Sequence, residues 1–314
     1  MKSQRIAVAG GNGKIGKHIV EGLLEIKQQH SLEIIVLSRT HAPEGISYAG
    51  STAPIIAVDY QDENSIQRVL NEYQIDTIIS TLSGDGIAAQ ESLLRAGLAV
   101  PTFRRFAPSE FAIDSEQVKG VKFYNQKLPI LRSLQEVKAE RGPGSFEYTR
   151  FNCGIFMNYL GFGNTKPDGH KAHGYLAHFP WIIDLSKRTA DVPGDGEKMI
   201  VYTGAEDVGK FVAAATQLEV WEEHSDMAGE VMTFNQVIRV CEEVCGVKFD
   251  VKYNTREDIV ARMSPDLDRR AEGIIQFYLA YIDGDCDVKR PINLNKLVDV
   301  KPMTVREYLQ QWWA

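Results

Sequence analysis

The sequence predicts an α/β fold: a doubly wound parallel sheet followed by a smaller carboxyl-terminal unit. Three observations point to it. Short buried-strand patterns alternate with helix-period segments through the first half, the first strand runs straight into a helix through a glycine-rich turn, and from about residue 154 the alternation loosens into loops rich in Gly, His and aromatic residues. Parallel strands are joined by crossovers long enough to be helices, so this alternation implies a parallel sheet with helices on both faces.

The strand patterns lie at residues 6–9, 34–37, 55–58, 77–80 and 102–107. Ile15, Ile19, Val20, Leu23 and Leu24 recur at helical spacing between the first two, and Ile66, Val69, Leu70 and Tyr73 between the third and fourth. A further helix is expected over 124–138, with Leu128, Leu131 and Leu134 inward, leading to a strand over 146–151. Beyond the loosened stretch, helices are expected near 207–217, 234–244 and 256–263. The sequence has no internal repeat or Pro-rich linker, so the second part is expected to pack over the carboxyl ends of the strands, where ligands bind in open α/β folds.

A chain of 314 residues with 44% hydrophobic and 25% charged residues has a globular composition, which excludes disorder, collagen and coiled coil as the main architecture. Lys and Arg number 35 against 42 Asp and Glu, a net charge of −7 that offers no general footprint for nucleic acid or anionic lipid. An anionic ligand must therefore meet local cations. Residues 1–9 hold too few apolar side chains for a signal-peptide core, and no stretch reaches the ~20 apolar residues of a membrane span. Cys153, Cys241, Cys245 and Cys286 form no CxxC pair. We read them as reduced thiols of a cytoplasmic protein.

The glycine-rich turn is the strongest local motif. It runs from Arg5 through Gly10, Gly11, Asn12, Gly13, Lys14, Ile15 and Gly16 to Lys17, a Gly-x-x-Gly-x-x-Gly pattern between strand and helix. Gly10 permits the tight turn, Gly13 lets backbone amides approach a pyrophosphate, and Gly16 lets the helix pack on the strand. The helix amino terminus adds unpaired N–H groups and partial positive charge. An ordinary strand-to-helix turn is the alternative, but position on the first strand of a βαβ unit favours a Rossmann dinucleotide site. At the end of the second strand stand Ser38 and Arg39 where a NAD site would place an acid, and a guanidinium fits a 2′-phosphate. NADPH is thus the expected cofactor. A solvated Arg39 is the bland alternative, and Lys14 and Lys17 either add charge or face water.

Arg104-Arg-Phe-Ala-Pro-Ser-Glu-Phe111 closely resembles the RF-x-PSEF block of isoflavone-reductase-like and NmrA-like proteins, atypical members of the short-chain dehydrogenase/reductase superfamily. The glycine turn resembles the same family's fingerprint. So do Lys127, Asn152 in Arg150-Phe-Asn-Cys-Gly-Ile-Phe156, Gly194-Asp-Gly196, Glu206-Asp-Val-Gly209 and Met303-Thr-Val-Arg-Glu-Tyr-Leu309, which together span nearly the whole chain. The resemblance implies that Thr81, Leu82 and Ser83, with Pro108, Ser109 and Phe111, line the nicotinamide half of the cofactor, that Asn152 lies at the same site, and that Lys127 is the catalytic lysine. It also implies an isoflavone-reductase-like enzyme that reduces a small aromatic or conjugated substrate with NADPH. The usual Tyr-x-x-x-Lys pair is absent, because position 123 is Phe; Tyr124, three residues before Lys127, shares its helical face and stands as the assisting candidate. A lysine on a mostly apolar helix more often snorkels to water. Burial beside a cationic nicotinamide would instead disfavour the ammonium and suit it to proton exchange.

Residues 151–181 hold seven aromatics in 31 positions against 9% overall, an enrichment that suits either a pocket wall for a flat substrate or a packed core or subunit interface. Phe156, Tyr159 and Phe162 are the substrate-binding candidates. His170, His173 and His178 lack metal-ligand spacing, so no metal is expected and they are read as surface or substrate-loop residues. No Gly-x-Ser-x-Gly elbow is present. The division expected is 1–154 for the NADP-binding Rossmann domain, with residues 200–217 returning to it, and 155–314 for the substrate-binding domain. The expected partner is a small aromatic or conjugated molecule, with nucleic acid and membrane excluded and a homodimer left open. A non-catalytic NmrA-like sensor that binds NAD(P) is the competing function; Lys127 argues against it, since a sensor has no need of a proton-transfer group.

Overall fold

The computed structural model describes residues 2–314, so Met1 of the opening segment lies outside the described residues. The first half runs β1 (Arg5–Ala9), α1 (Lys14–His30), β2 (Glu33–Ser38), β3 (Ala42–Tyr48), β4 (Ser51–Ala57), α2 (Glu63–Glu72), β5 (Thr77–Ser80), α3 (Ala89–Leu98), β6 (Arg105–Ala107), α4 (Lys122–Asn125), α5 (Leu128–Arg141) and β7 (Glu147–Tyr148). Its strands form one seven-stranded sheet in the order β3-β4-β2-β1-β5-β6-β7. Every neighbouring pair is parallel except β3 with β4. β2 and β5 flank β1 on opposite sides, so the chain reverses its winding at β1, and the carboxyl end of β1 opens the crevice in which such sheets bind ligands.

Burial on both faces explains why these strands read as unbroken apolar runs. Ile6 and Val8 of β1 share a core with Leu23 of α1, while Ala7 and Ala9 join Leu70, Leu93 and Leu134 on the other face. The first face also takes Val208, Phe211 and Val212 from the much later helix α6 (Ala205–Ala215). α1 and α6 touch through glycines: a Cβ on Gly22 would stand 2.3 Å from the Gly209 carbonyl oxygen, and one on Gly209 would stand 2.1 Å from that of His18.

Three expectations are corrected. The strand expected over 102–107 forms only at Arg105–Ala107, since Thr102 turns its hydroxyl to the Ile75 carbonyl instead of joining the ladder. The strand expected over 146–151 divides into β7, at the sheet edge, and β8 (Arg150–Asn152), which leaves that sheet to pair with His224–Asp226. The helix expected over 124–138 divides into α4 and α5, because Pro129 has no N–H to return to the Asn125 carbonyl. Lys127 thereby sits just before the first turn of α5 rather than at a mid-helix position, and its side chain makes no capping bond to the helix.

The remaining core gathers Tyr124, Met157, Val192, Tyr202, Phe234, Phe277, Tyr281 and Leu309. It is held by short sheets, by the helix at Phe234–Cys245, and by a helix at Arg269–Ile282 that is absent from the sequence expectation. The cysteines are free, and among the described residues no helix is long and apolar enough to cross a membrane.

Candidate functional site

Three loops meet at the carboxyl edge of the sheet, following β1, β5 and β6. In the first, Gly10 sits at φ +75°, a conformation that favours glycine, and its N–H donates to the Leu37 carbonyl at 3.0 Å. The Tyr60 hydroxyl donates to that same oxygen at 2.8 Å, fixing the β1–β2 edge from α2's side, a contact between residues 23 apart that no local sequence pattern marks. A Cβ on Gly16 would meet the Gly10 carbonyl at 2.4 Å and Thr81 Oγ1 at 2.7 Å, so only glycine lets α1 start this close to the turn. A Cβ on Gly13 would meet only the Gly10 carbonyl, at 3.2 Å. Asn12, Gly13 and Lys14 are exposed and Ile15 half-buried, and no side chain caps α1. The helix therefore presents its first N–H groups and positive dipole end bare, which fits the phosphates of a dinucleotide. Ser38 ends β2 half-buried and Arg39 follows it, exposed.

The β5 loop begins at Thr81, whose N–H and hydroxyl both donate to the Ala9 carbonyl, at 2.8 and 2.9 Å. Leu82 packs on the second core and Ser83 is exposed. The β6 loop begins at buried Pro108, and its Ser109 N–H donates to Gln90 Oε1 at 2.7 Å, tying it to α3. Phe111 points into the core rather than the crevice, stacked on Phe151 with ring centroids 6.0 Å apart. Among the described residues, Ser80 Oγ, Gln90 Nε2 and Glu110 Oε1 are buried without a hydrogen-bond partner. Buried polar atoms are seldom left so; Ser80 Oγ and Gln90 Nε2 lie at the end of β5 and in the helix that follows it, where a bound nucleotide would supply partners, while Glu110 Oε1 lies 3.8 Å from Lys127 Nζ.

Lys127, 8% exposed, reaches the β6 loop. Its Nζ donates to the Glu110 carbonyl at 3.0 Å, lies 3.8 Å from the Glu110 carboxylate, and stands 4.8 Å from the centre of the Tyr124 ring. Tyr124 is buried among Phe123 and Phe277, and burial, with the Glu110 charge adding to it, holds its hydroxyl well above its ordinary range. Burial pushes the Cys153 thiol up to about 12, with Lys127 opposing the shift. The Tyr159 hydroxyl is also pushed up to about 12, by burial first and then by Cys153, while Arg270 opposes the shift.

That stretch forms a chain of ring contacts: Phe156 to Tyr159 at 6.1 Å, Tyr159 to Phe179 at 4.7 Å, and Phe179 to Trp181 at 6.1 Å. Phe162 instead packs on His178 at 4.8 Å. His170 and His178 are exposed as expected, but His173 is buried by the Phe162 side, and among the described residues no three His, Cys, Asp or Glu side chains group as metal ligands. Asn152 bridges through its backbone to Ala112, the residue after Phe111 on the β6 loop. Its Nδ2 donates to Asp226 Oδ1 at 2.9 Å, beside a cavity of about 50 Å³ that Cys286 and Arg290 also line. A larger cavity, about 660 Å³, opens at the opposite, amino-terminal edge of the sheet, among Arg5, Asp76, Arg104 and Glu147. Its acids are engaged by the chain's own groups, Asp76 by the N–H groups of Gln4 and Arg5 and Glu147 by Arg105, so chemistry singles out the carboxyl edge where volume does not.

Known proteins align with this arrangement over most of the chain. The model of the NmrA-like family matches residues 2–309. An oxidoreductase of Botryotinia fuckeliana (strain B05.10), BOA1, is 34% identical over 78% of this chain and 77% of its own length. Pinoresinol reductase 2 of Arabidopsis thaliana is 24% identical over 98% of this chain and 96% of its own. Among solved structures, AtPrR2 with NADP+ and (+)pinoresinol superposes with a TM-score of 0.76 at 21% identity, covering 99% of both chains. The leucoanthocyanidin reductase of Vitis vinifera with NADPH superposes with a TM-score of 0.74 at 20% identity, covering 98% of this chain and 99% of the other. At those identities the likeness is one of fold.

Proposed function

The chain belongs to the NmrA-like family, and from that premise we propose that it is an NADPH-dependent reductase of a small aromatic or conjugated molecule, with Lys127 as the proton donor. The observation that carries the proposal is the buried lysine tied to the β6 loop at the carboxyl edge of the sheet. A pure nucleotide sensor has no use for an ammonium there. The names of the relatives, an oxidoreductase and a pinoresinol reductase, support the same reading.

The glycine turn and the bare start of α1 would hold the pyrophosphate, Arg39 and Ser38 the 2′-phosphate, and Thr81 to Ser83 with Pro108 and Ser109 the nicotinamide half. NADPH, when bound, supplies hydride. Reduction of a polarised C=C or C=O leaves an anion on the substrate, and Lys127 donates a proton to it, becoming a neutral amine that regains its proton from water. Tyr124 keeps its own proton, because burial holds its hydroxyl too weak an acid to compete. Its part is to support the ammonium with its ring face. Phe156, Tyr159 and Phe162 hold the flat substrate and exclude water. The test is NADPH oxidation by the purified protein across conjugated ketones, flavonoids and lignans. Substrate-dependent oxidation supports the proposal; nucleotide binding with no turnover across the panel returns the sensor.

A further inference from the structure

We infer that Glu110 is the positioning residue of the site: its buried carboxylate is the counter-charge that keeps Lys127 an ammonium, and its backbone carbonyl fixes where that ammonium points. The inference rests on the reading of Lys127 as proton donor. Glu110 is 1% exposed, and a carboxylate is taken out of water only at considerable cost unless it is paired. One oxygen, Oε2, accepts from the Ser115 N–H at 3.1 Å. The other, Oε1, has no hydrogen-bond partner among the described residues and lies 3.8 Å from Lys127 Nζ. The same residue's carbonyl takes one ammonium hydrogen at 3.0 Å.

An ammonium carries three donors. One is held by the carbonyl of Glu110, one turns toward its carboxylate, and the third remains for a substrate. Other titratable groups around Tyr124 are its own hydroxyl on α4, the Cys153 thiol after β8 and the Cys286 thiol, all pushed upward by burial and therefore neutral. The charge on Lys127 is thus balanced by Glu110. When Lys127 gives up its proton, the carboxylate is left buried and unpaired, which drives recapture of a proton from water and resets the acid.

The pairing is tested without turnover. Lys127 is labelled with acetic anhydride, which attacks only the neutral amine, and its peptide is quantified by mass spectrometry at neutral pH, normalised to its labelling in strongly alkaline buffer. Glu110→Gln should raise this normalised labelling about tenfold or more, the change expected when an opposite charge within ~4–6 Å is removed. Glu110→Asp, which keeps the charge and is the milder change to the fold, should stay close to the parent. Unchanged labelling in Glu110→Gln, or an equal rise in Glu110→Asp, overturns the inference. Because the readout is the charge on Lys127, it stands apart from the test of the reductase itself: an inactive protein with the tenfold rise refutes catalysis and keeps the pair.

Discussion

Thr81 closes the glycine turn on Gly16 from the neighbouring strand. Its hydroxyl is fixed at 2.9 Å on the Ala9 carbonyl, and a methyl group on Gly16 would fall 2.7 Å from it and 2.4 Å from the Gly10 carbonyl. The second of these neighbours is backbone and cannot swing aside. Gly16→Ala should therefore push α1 off the turn, cost about 1–3 kcal/mol as overpacking does, and weaken NADPH binding with it. Thermal melting with and without NADPH checks both effects. An alanine variant with the parent's melting temperature and nucleotide-induced shift would show that the turn is looser than its geometry.

Arg39 stands exposed immediately after β2. A charge-assisted hydrogen bond to a 2′-phosphate is worth about 1.5–3 kcal/mol, so NADPH should bind roughly tenfold or more tighter than NADH, and Arg39→Ala should erase most of that difference. Fluorescence titration with both nucleotides measures it. Equal affinities in the parent, or a preference unchanged in the variant, contradict the assignment.

Tyr159 is half-buried, with Phe156 on one side and Phe179 on the other. If these rings face substrate, Tyr159→Leu should raise KM or lower kcat several-fold while NADPH affinity stays near the parent's. A variant that melts markedly lower yet keeps its kinetics would place Tyr159 in the core instead.

His173 predicts acid sensitivity. Burial, with His178 beside it, lowers it from 6.5 to about 4, so the unfolded chain takes up the proton first as pH falls. The stability linked to this neutral ring is present above pH 6.5 and is lost as pH drops toward 4. His173→Phe should lose less melting temperature than the parent across that window. Identical pH slopes would assign the acid sensitivity to other groups.

Much of this fold is legible in sequence because the centres of β1, β2 and β5 are buried on both faces and so carry unbroken apolar runs. β3 is not legible: it is an edge strand with Pro43 and Gly45, which read as loop, and its hairpin turn rests on Ala49 and Gly50 at φ 49° and 73°. The break before α5 did leave a signal, Pro129, outweighed by the run of inward leucines. The candidate site is legible where one segment suffices, as in the glycine turn. It is hidden where tertiary structure joins distant residues: Glu110 to Lys127, Gln90 to Ser109, and Tyr60 to the end of β2. Phe111 shows the converse, since the segment that carries it matches the family while its ring packs on Phe151.

The most direct test of the central claim is a single-turnover comparison of the parent with Lys127→Ala, each saturated with NADPH and mixed with a substrate that the parent reduces. NADPH should bind both proteins about equally. Reduction by Lys127→Ala should be slower by on the order of 10²–10⁴, and Lys127→Arg should recover little of it, because a guanidinium does not release its proton near neutral pH. Turnover by Lys127→Ala at close to the parent rate, or a defect confined to NADPH affinity, would contradict the account and leave Lys127 as a clamp on the cofactor.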